Sequence, residues 1–261
     1  MIGIENYAYN NRWRSIHPRT KIIFAIITML MCISSRQLLL PMLVVGVMVF
    51  LTIERAQIPL RFYWRLCLIP AGFIVVGALT VSFGFASQHA QYIWYLKIGA
   101  YYLGVTAKGI SDAMFLLARA CGALTCLFFL ALTTPMEDIA WQLEQWKVPY
   151  IMIEMMILTY RFIFVFWEEA VTIHISQAAR LGHINIRAGF RSLSYLISSV
   201  FLGAFKHSEA LYSALVSRGY TDSLRVLTDD YCKTPTYITG SFVVFDSLLL
   251  AMIILQGRVG F

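Results

Sequence analysis

With 261 residues, 59% of them hydrophobic and only 13% charged, the chain has about half the roughly 25% charge of an ordinary soluble domain, which excludes a water-soluble globular protein and indicates a membrane domain. Its net charge of +7 is not gathered into a basic block interleaved with aromatics, so it is better explained by positive residues on one side of a membrane than by nucleic-acid binding. The five cysteines (32, 67, 121, 126 and 232) show no Cys-x-x-Cys spacing and read as small packed hydrophobes in a reducing context.

Residues 1–17 combine Tyr7, Tyr9, Arg12, Trp13 and Arg14, a mixture suited to the headgroup layer and too polar for a signal peptide. Pro18 is placed to open a helix, because a first turn does not need its missing N–H. Two apolar runs, 22–35 and 37–53, are split only by Arg36 and predict a hairpin of two passes with Arg36 at the far turn. A loop with Glu54, Arg55, Arg61 and Arg65 follows, then a third pass over 66–86 that Pro70 kinks or begins. Residues 87–102, with His89, Trp94, Tyr95 and Lys97, read as an outer loop with an interfacial belt. Lys and Arg number four in residues 1–21 and three in 54–65, against one in each far-side loop, which predicts a cytoplasmic N-terminus.

The fourth pass, 104–133, contains Lys108, Asp112 and Arg119, which fall within about 40° of one another on an ideal helix. Ionisable groups at membrane depth turn inward and pair. A structural ion cluster and a substrate path both fit, and Asp246 in the fifth pass, 237–255, is the expected carboxylate partner of a base on the fourth.

Between these passes lies an excursion. Thr134, Pro135 and Glu137 have the spacing of a capping box with proline at the first helical position. Met136, Ile139, Ala140, Leu143 and Trp146 then form an apolar face opposite Glu137, Asp138, Gln142, Glu144 and Gln145. Pro149 opens a longer helix along which Glu154, Arg161 and Glu168 recur every seven residues as one charged seam. Continued to Arg180, this helix is about 46 Å long and exceeds the roughly 30 Å hydrocarbon layer. A further helix, about 192–218, carries Ala204, Ser208, Ala210 and Ala214, small residues at the spacing that lets helices approach closely.

Both long helices run to an arginine and stop at a glycine, Arg180 before Gly182 and Arg218 before Gly219. Such an ending caps the last carbonyls favourably. It also presents a compact guanidinium that can enter an acidic groove on another protein. The chain lacks a P-loop, a Gly-x-Ser-x-Gly nucleophile and a His-x-x-x-His or Cys/His cluster, so neither enzyme chemistry nor a resident metal or other cofactor is expected. His174 and His183, nine residues apart around Arg180, read as solvated residues.

Taken together, Arg119, Leu132–Thr133–Thr134–Pro135, Trp146–Lys147–Val148–Pro149, Tyr160–Arg161–Phe162, Glu168–Glu169–Ala170, Ala179–Arg180 and the segment from Ala214 to Arg218–Gly219–Tyr220 give a pattern that resembles the transmembrane T component of energy-coupling-factor transporters, most of all its cobalt branch, CbiQ. The resemblance covers roughly residues 10–225. It implies an all-α polytopic fold with about five transmembrane helices and long cytoplasmic coupling helices, organised as membrane passes in 1–133, coupling helices in 134–236 and a last pass in 237–261. It also implies a non-catalytic scaffold in a bacterial or archaeal cell membrane. Its partners would be a pair of ABC-type ATPases, a substrate-binding membrane subunit like CbiM and a small accessory membrane subunit. Carried over by position, Ser217, Arg218 and Gly219 match the second ATPase-contacting motif. Ala179, Arg180 and Gly182 match the first, with Leu181 intervening before the glycine. The implied cargo is cobalt, with nickel or a vitamin as neighbouring cases. A self-contained channel or secondary transporter using Lys108, Asp112, Arg119 and Asp246 is the competing class.

Overall fold

The computed structural model describes residues 3–14, 16–35, 37–86, 92–98, 101–220 and 236–259. Arg36, the expected far turn, and 221–235, the expected return to the membrane, lie outside the described residues. The chain divides into two units, one formed by Ile2–Pro135 with Asp230–Phe261 and the other by Met136–Asp229.

The first unit is built from α1 (Gly3–Tyr9), α2 (Pro18–Ser34), α3 (Leu39–Phe50), α4 (Leu60–Ser82), α5 (Ala107–Thr133) and α9 (Thr236–Val259). Pro18 opens α2 as its chemistry predicts, and His17 Nδ1 caps that helix by accepting from the Arg19 N–H at 3.2 Å. Partial burial, and then the charges of Arg19 and Lys21, hold the His17 imidazole below its ordinary pKa, which favours the neutral form that can accept this bond. A π-helical turn, Leu51–Arg55, continues α3, and Pro70 lies inside α4 rather than at its start.

α5 is the hub, touching α1, α2, α3 and α4, while α9 packs on α2. Leu40, Val44 and Met48 recur every fourth residue along α3 and are fully buried, giving one continuous face. Phe24 stacks on Phe242 at 4.0 Å between ring centroids, and Trp13 meets Phe129 edge-on at 5.7 Å. Such contacts hold helices together within lipid by packing, since lipid tails are as apolar as the side chains themselves. Gly122 lets α5 close on α2: a Cβ there would collide with Cys32 Sγ.

Lys21 is the unexpected member of this core. It is fully buried, and its Nζ donates to Trp13 O at 3.2 Å and to Thr133 O at 2.9 Å. Thr133 ends α5, so the ammonium meets the negative end of that helix. Asn11 Nδ2 reaches the neighbouring carbonyl of Leu132 at 3.2 Å. Lys21, counted from sequence among the charges that orient the chain, is a helix-terminating core residue.

Residues 83–106 differ from the expected end of the third pass at 86, the loop after it and the start of the fourth pass. β1 (Phe83–Ala86), β2 (Tyr92–Ile98) and β3 (Tyr101–Thr106) form an antiparallel sheet in the order β1-β3-β2. Gly104, expected to begin the fourth pass, pairs with both Gly84 and Tyr95. The aromatic and β-branched residues that suggested an interfacial belt are also those that suit a pleated surface. Thr106 then caps α5 through the Gly109 N–H.

The second unit holds α6 (Met136–Gln145), α7 (Tyr150–Ala179) and α8 (Ile186–Ser217). α6 begins where Pro135 predicts, but the capping box does not form: the Thr134 hydroxyl is buried without a hydrogen-bond partner, while its backbone N–H closes α5 on Leu130 O. The expected faces of α6 also shift. Asp138 and Gln142 are buried and Trp146 is exposed.

α4, α5, α7 and α8 are long and apolar enough to cross a membrane. α2, at 17 residues, and the apolar stretch Ile238–Ile254 of α9 are shorter. Length and composition therefore do not separate the expected coupling helices α7 and α8 from membrane passes. The chain is a multi-pass helical membrane protein.

Candidate functional site

α7 and α8 run antiparallel. Contacts that descend α7 climb α8: Gln177 Nε2 donates to Ser192 O at 2.8 Å, the ring of Phe166 meets that of His207 at 6.1 Å, and Tyr220 Oη, just past α8, donates to Glu154 Oε1 at 2.6 Å. Gly203 marks one close approach, where a Cβ would stand 2.6 Å from Glu169 Oε1. The small residues expected to make this approach do not: Ser208, Ala210 and Ala214 are exposed and Ala204 is half-buried. Gly203, immediately before them, is an α8 glycine at which an added Cβ would collide with α7.

Because the helices are antiparallel, their C-terminal ends point apart. From Glu154, beside which Tyr220 lies, to Arg180 is roughly 40 Å of helix. Arg180 and Arg218 are both exposed.

The two ends have the same backbone. Past α7, the Gly182 N–H reaches back to Gln177 O at 2.8 Å and the Leu181 N–H to Ala178 O at 3.0 Å. Past α8, the Tyr220 N–H reaches Leu215 O and the Gly219 N–H reaches Val216 O, both at 3.0 Å. Each is a Schellman ending, with arginine as the last half-helical residue and a left-handed residue next. That left-handed residue is Gly219 at φ 74° in one and Leu181 at φ 60° in the other. Leu181 thus does not displace the motif; it takes the glycine's place in it, at a conformational cost of about 1–2 kcal/mol for a residue with a Cβ.

Gly182 is required for a different reason. A Cβ there would lie 2.7 Å from Ser192 Oγ and 2.9 Å from Gln177 O. Ser192 Oγ donates to Gly182 O at 2.8 Å, and Asn185 caps α8 through the Ala188 N–H. The Arg180 end is therefore tied down by its own turn. The Arg218 end is tied instead by the remote Tyr220–Glu154 bond, with Ser217 Oγ bonded to Ser213 O behind it. Glu154, only 6% exposed, is set apart from Arg161 and Glu168, which are exposed. The three do not act as one seam.

The intramembrane charges are not brought together. Asp246 Oδ1 accepts from Thr28 Oγ1 on α2 at 3.0 Å, not from a base on α5. Among the described residues no ion pair joins Lys108, Asp112, Arg119 and Asp246. Lys108 and Asp112 are exposed, while Arg119 is half-buried with its Nε enclosed and unbonded. Sharing a helix face is not enough to pair them: Lys108 and Asp112 stand exposed near the start of α5, and Arg119 lies about two turns beyond Asp112.

His174 and His183, expected as separate solvated residues, have ring centroids 4.7 Å apart. Among the described residues no group of three or more His, Cys, Asp or Glu side chains is arranged to hold a metal ion. Cys32, Cys67, Cys121 and Cys126 are free thiols.

Residues 10–228 match the family model described as CbiQ, cobalt transport protein. The chain is 29% identical over 249 residues to a cobalt transport protein CbiQ of Rhodobacter capsulatus, covering 95% of this chain and 96% of that one. It is 27% identical over 256 residues to a putative fused cobalt transport protein CbiMQ of Methanocorpusculum labreanum, covering 97% of this chain and 43% of that longer protein. It is 29% identical over 179 residues to an energy-coupling factor transporter transmembrane protein EcfT of Limosilactobacillus fermentum, covering 63% of this chain and 64% of that one.

Proposed function

Since the chain belongs to the CbiQ cobalt transport protein family, we propose that it is the non-catalytic coupling scaffold of an energy-coupling-factor importer, carrying the work of a partner ABC-type ATPase pair to a substrate-binding membrane subunit that takes up a transition-metal ion, cobalt first. The observation that carries this reading is the repeated helix end: one exposed arginine, one backbone geometry, presented twice at opposite ends of an antiparallel pair. Two such tips roughly 40 Å apart cannot enter one groove. They suit two similar grooves on two similar subunits, with each guanidinium supplying a fork of donors to acidic side chains.

The contact residues are then Ala179, Arg180 and Gly182 at one tip and Ser217, Arg218 and Gly219 at the other. The ATPase partners lie in the cytoplasm, so both tips face that side; the arginines of 1–21 and 54–65 support a cytoplasmic N-terminus. A relative whose name describes CbiM and CbiQ as fused supports a CbiM-like membrane partner, with a small accessory subunit completing the assembly. A channel through Lys108, Asp112, Arg119 and Asp246 has no matching support, since Asp246 is bonded to Thr28.

Charge reversal tests the reading. Arg180→Glu and Arg218→Glu should each reduce ATPase co-purification at least tenfold, and the double variant should abolish it, with the protein still in the membrane fraction. Undiminished co-purification of the double variant would sink the proposal.

A further inference from the structure

The strongest arrangement not used by this coupling role is the histidine pair on the Arg180 turn. We propose that His174 and His183 form a two-imidazole binding site for a divalent transition-metal ion. The inference stands on the second unit's own geometry and does not rest on the ATPase reading.

With metal–nitrogen bonds of about 2.0–2.1 Å and a ring nitrogen about 1.2 Å from its centroid, two imidazoles sharing one ion at angles between square and tetrahedral have centroids about 4.6–5.3 Å apart. The observed separation is 4.7 Å, with the ring planes tilted by 40°. The rings already stand at the spacing that chelation needs. Neither imidazole has a hydrogen bond or ion pair among the described residues, so their nitrogen lone pairs are not committed elsewhere.

The backbone beneath them is fixed. His183 follows Gly182, whose carbonyl accepts from Ser192 and whose N–H closes on Gln177, while His174 projects from α7 about one and a half turns before its end. A prearranged pair avoids much of the ordering cost that two mobile side chains would meet on binding. Both residues are exposed, so water completes the coordination shell and the ion exchanges freely. Imidazole nitrogens select borderline ions such as cobalt(II), nickel(II) and zinc(II) over magnesium and calcium, which prefer oxygen. An ion held here sits on the turn that presents Arg180.

Calorimetric titration of the untagged full-length chain in detergent, with nickel(II) and then cobalt(II) chloride, tests the site. One ion per chain is expected. Because the second imidazole acts at high local concentration, His174→Ala and His183→Ala should each lower the affinity by about 10²-fold, and the double variant, left with neither imidazole, should bind no ion at this turn. His207→Ala should bind as the parent does, and magnesium should neither bind nor compete. Single variants that keep the parent's affinity per ion and lose only stoichiometry, or an equal loss from His207→Ala, would mean independent surface imidazoles and would overturn the proposal. So would no detectable binding by the parent chain, whose fold is checked by circular dichroism and a single elution peak.

Discussion

The ends of α7 and α8 place an arginine in the same backbone setting, yet they reach it by different routes. At Arg180 the anchoring is local: Gln177, Gly182 and Ser192 bond across a short turn, and the left-handed position is filled by Leu181 against its preference. At Arg218 the left-handed position is a glycine, and the anchoring comes from Tyr220, whose phenol donates to a carboxylate 66 residues away in sequence. The difference teaches that a contact geometry can recur without the residues that enforce it recurring. The Arg180 end stores strain and depends on its neighbours, whereas the Arg218 end is relaxed and depends on the fit between two helices.

Breaking the local anchor should have the largest effect. Gly182→Val puts side-chain atoms into Ser192 Oγ and the backbone oxygen of Gln177, at a cost of about 3 kcal/mol, the upper part of the range for overpacking. Hydrogen–deuterium exchange should speed up across 177–192 while the Arg218 end keeps its protection. Equal deprotection at both ends would show that the two anchors are not separate.

Breaking the remote anchor should come next. Tyr220→Phe keeps the ring but leaves the buried Glu154 carboxylate without this donor, a loss of about 1–3 kcal/mol. Exchange should rise at 150–156 and 215–220, and the thermal midpoint of the purified chain should fall. Replacing Glu154 by Gln, which keeps an acceptor oxygen, should cost less than Tyr220→Phe. If it costs more, the carboxylate has a role beyond this bond.

The smallest change should be a gain. Leu181→Gly removes the Cβ from the left-handed position and should stabilise the Arg180 end by about 1 kcal/mol, with slower exchange of the Gly182 amide. No gain would mean that the exposed leucine side chain makes a compensating contact.

The parts of this architecture that were legible from sequence are those set by neighbours along the chain. Pro18 and Pro149 mark helix starts because a missing N–H is harmless only there, and Gly219 marks a helix end because it alone takes the left-handed position freely. Leu181 obscured the equivalence of the two ends, since its preference argues against the conformation it adopts. The sheet at 83–106 was hidden because its aromatic residues fit a membrane interface as well as a strand. Lys21, the Tyr220–Glu154 bond and the Asp246–Thr28 bond were invisible for one reason: their partners lie 112, 66 and 218 residues away, where no periodicity reaches. Gly203 was passed over because its neighbour, Glu169, lies 34 residues away in sequence, while Ala210 and Ala214, which share its helix face, are exposed.

Lys21 also has a consequence for biogenesis. One of its acceptors, the carbonyl of Thr133, is synthesised 112 residues after the lysine itself. While the ribosome is still translating α3 and α4, the ammonium has Trp13 O within reach but not the helix end that completes its burial. Until α5 emerges, the lysine lacks its Thr133 acceptor. A chain released before that point has the lysine without the helix end that accepts its hydrogen bond in the finished core.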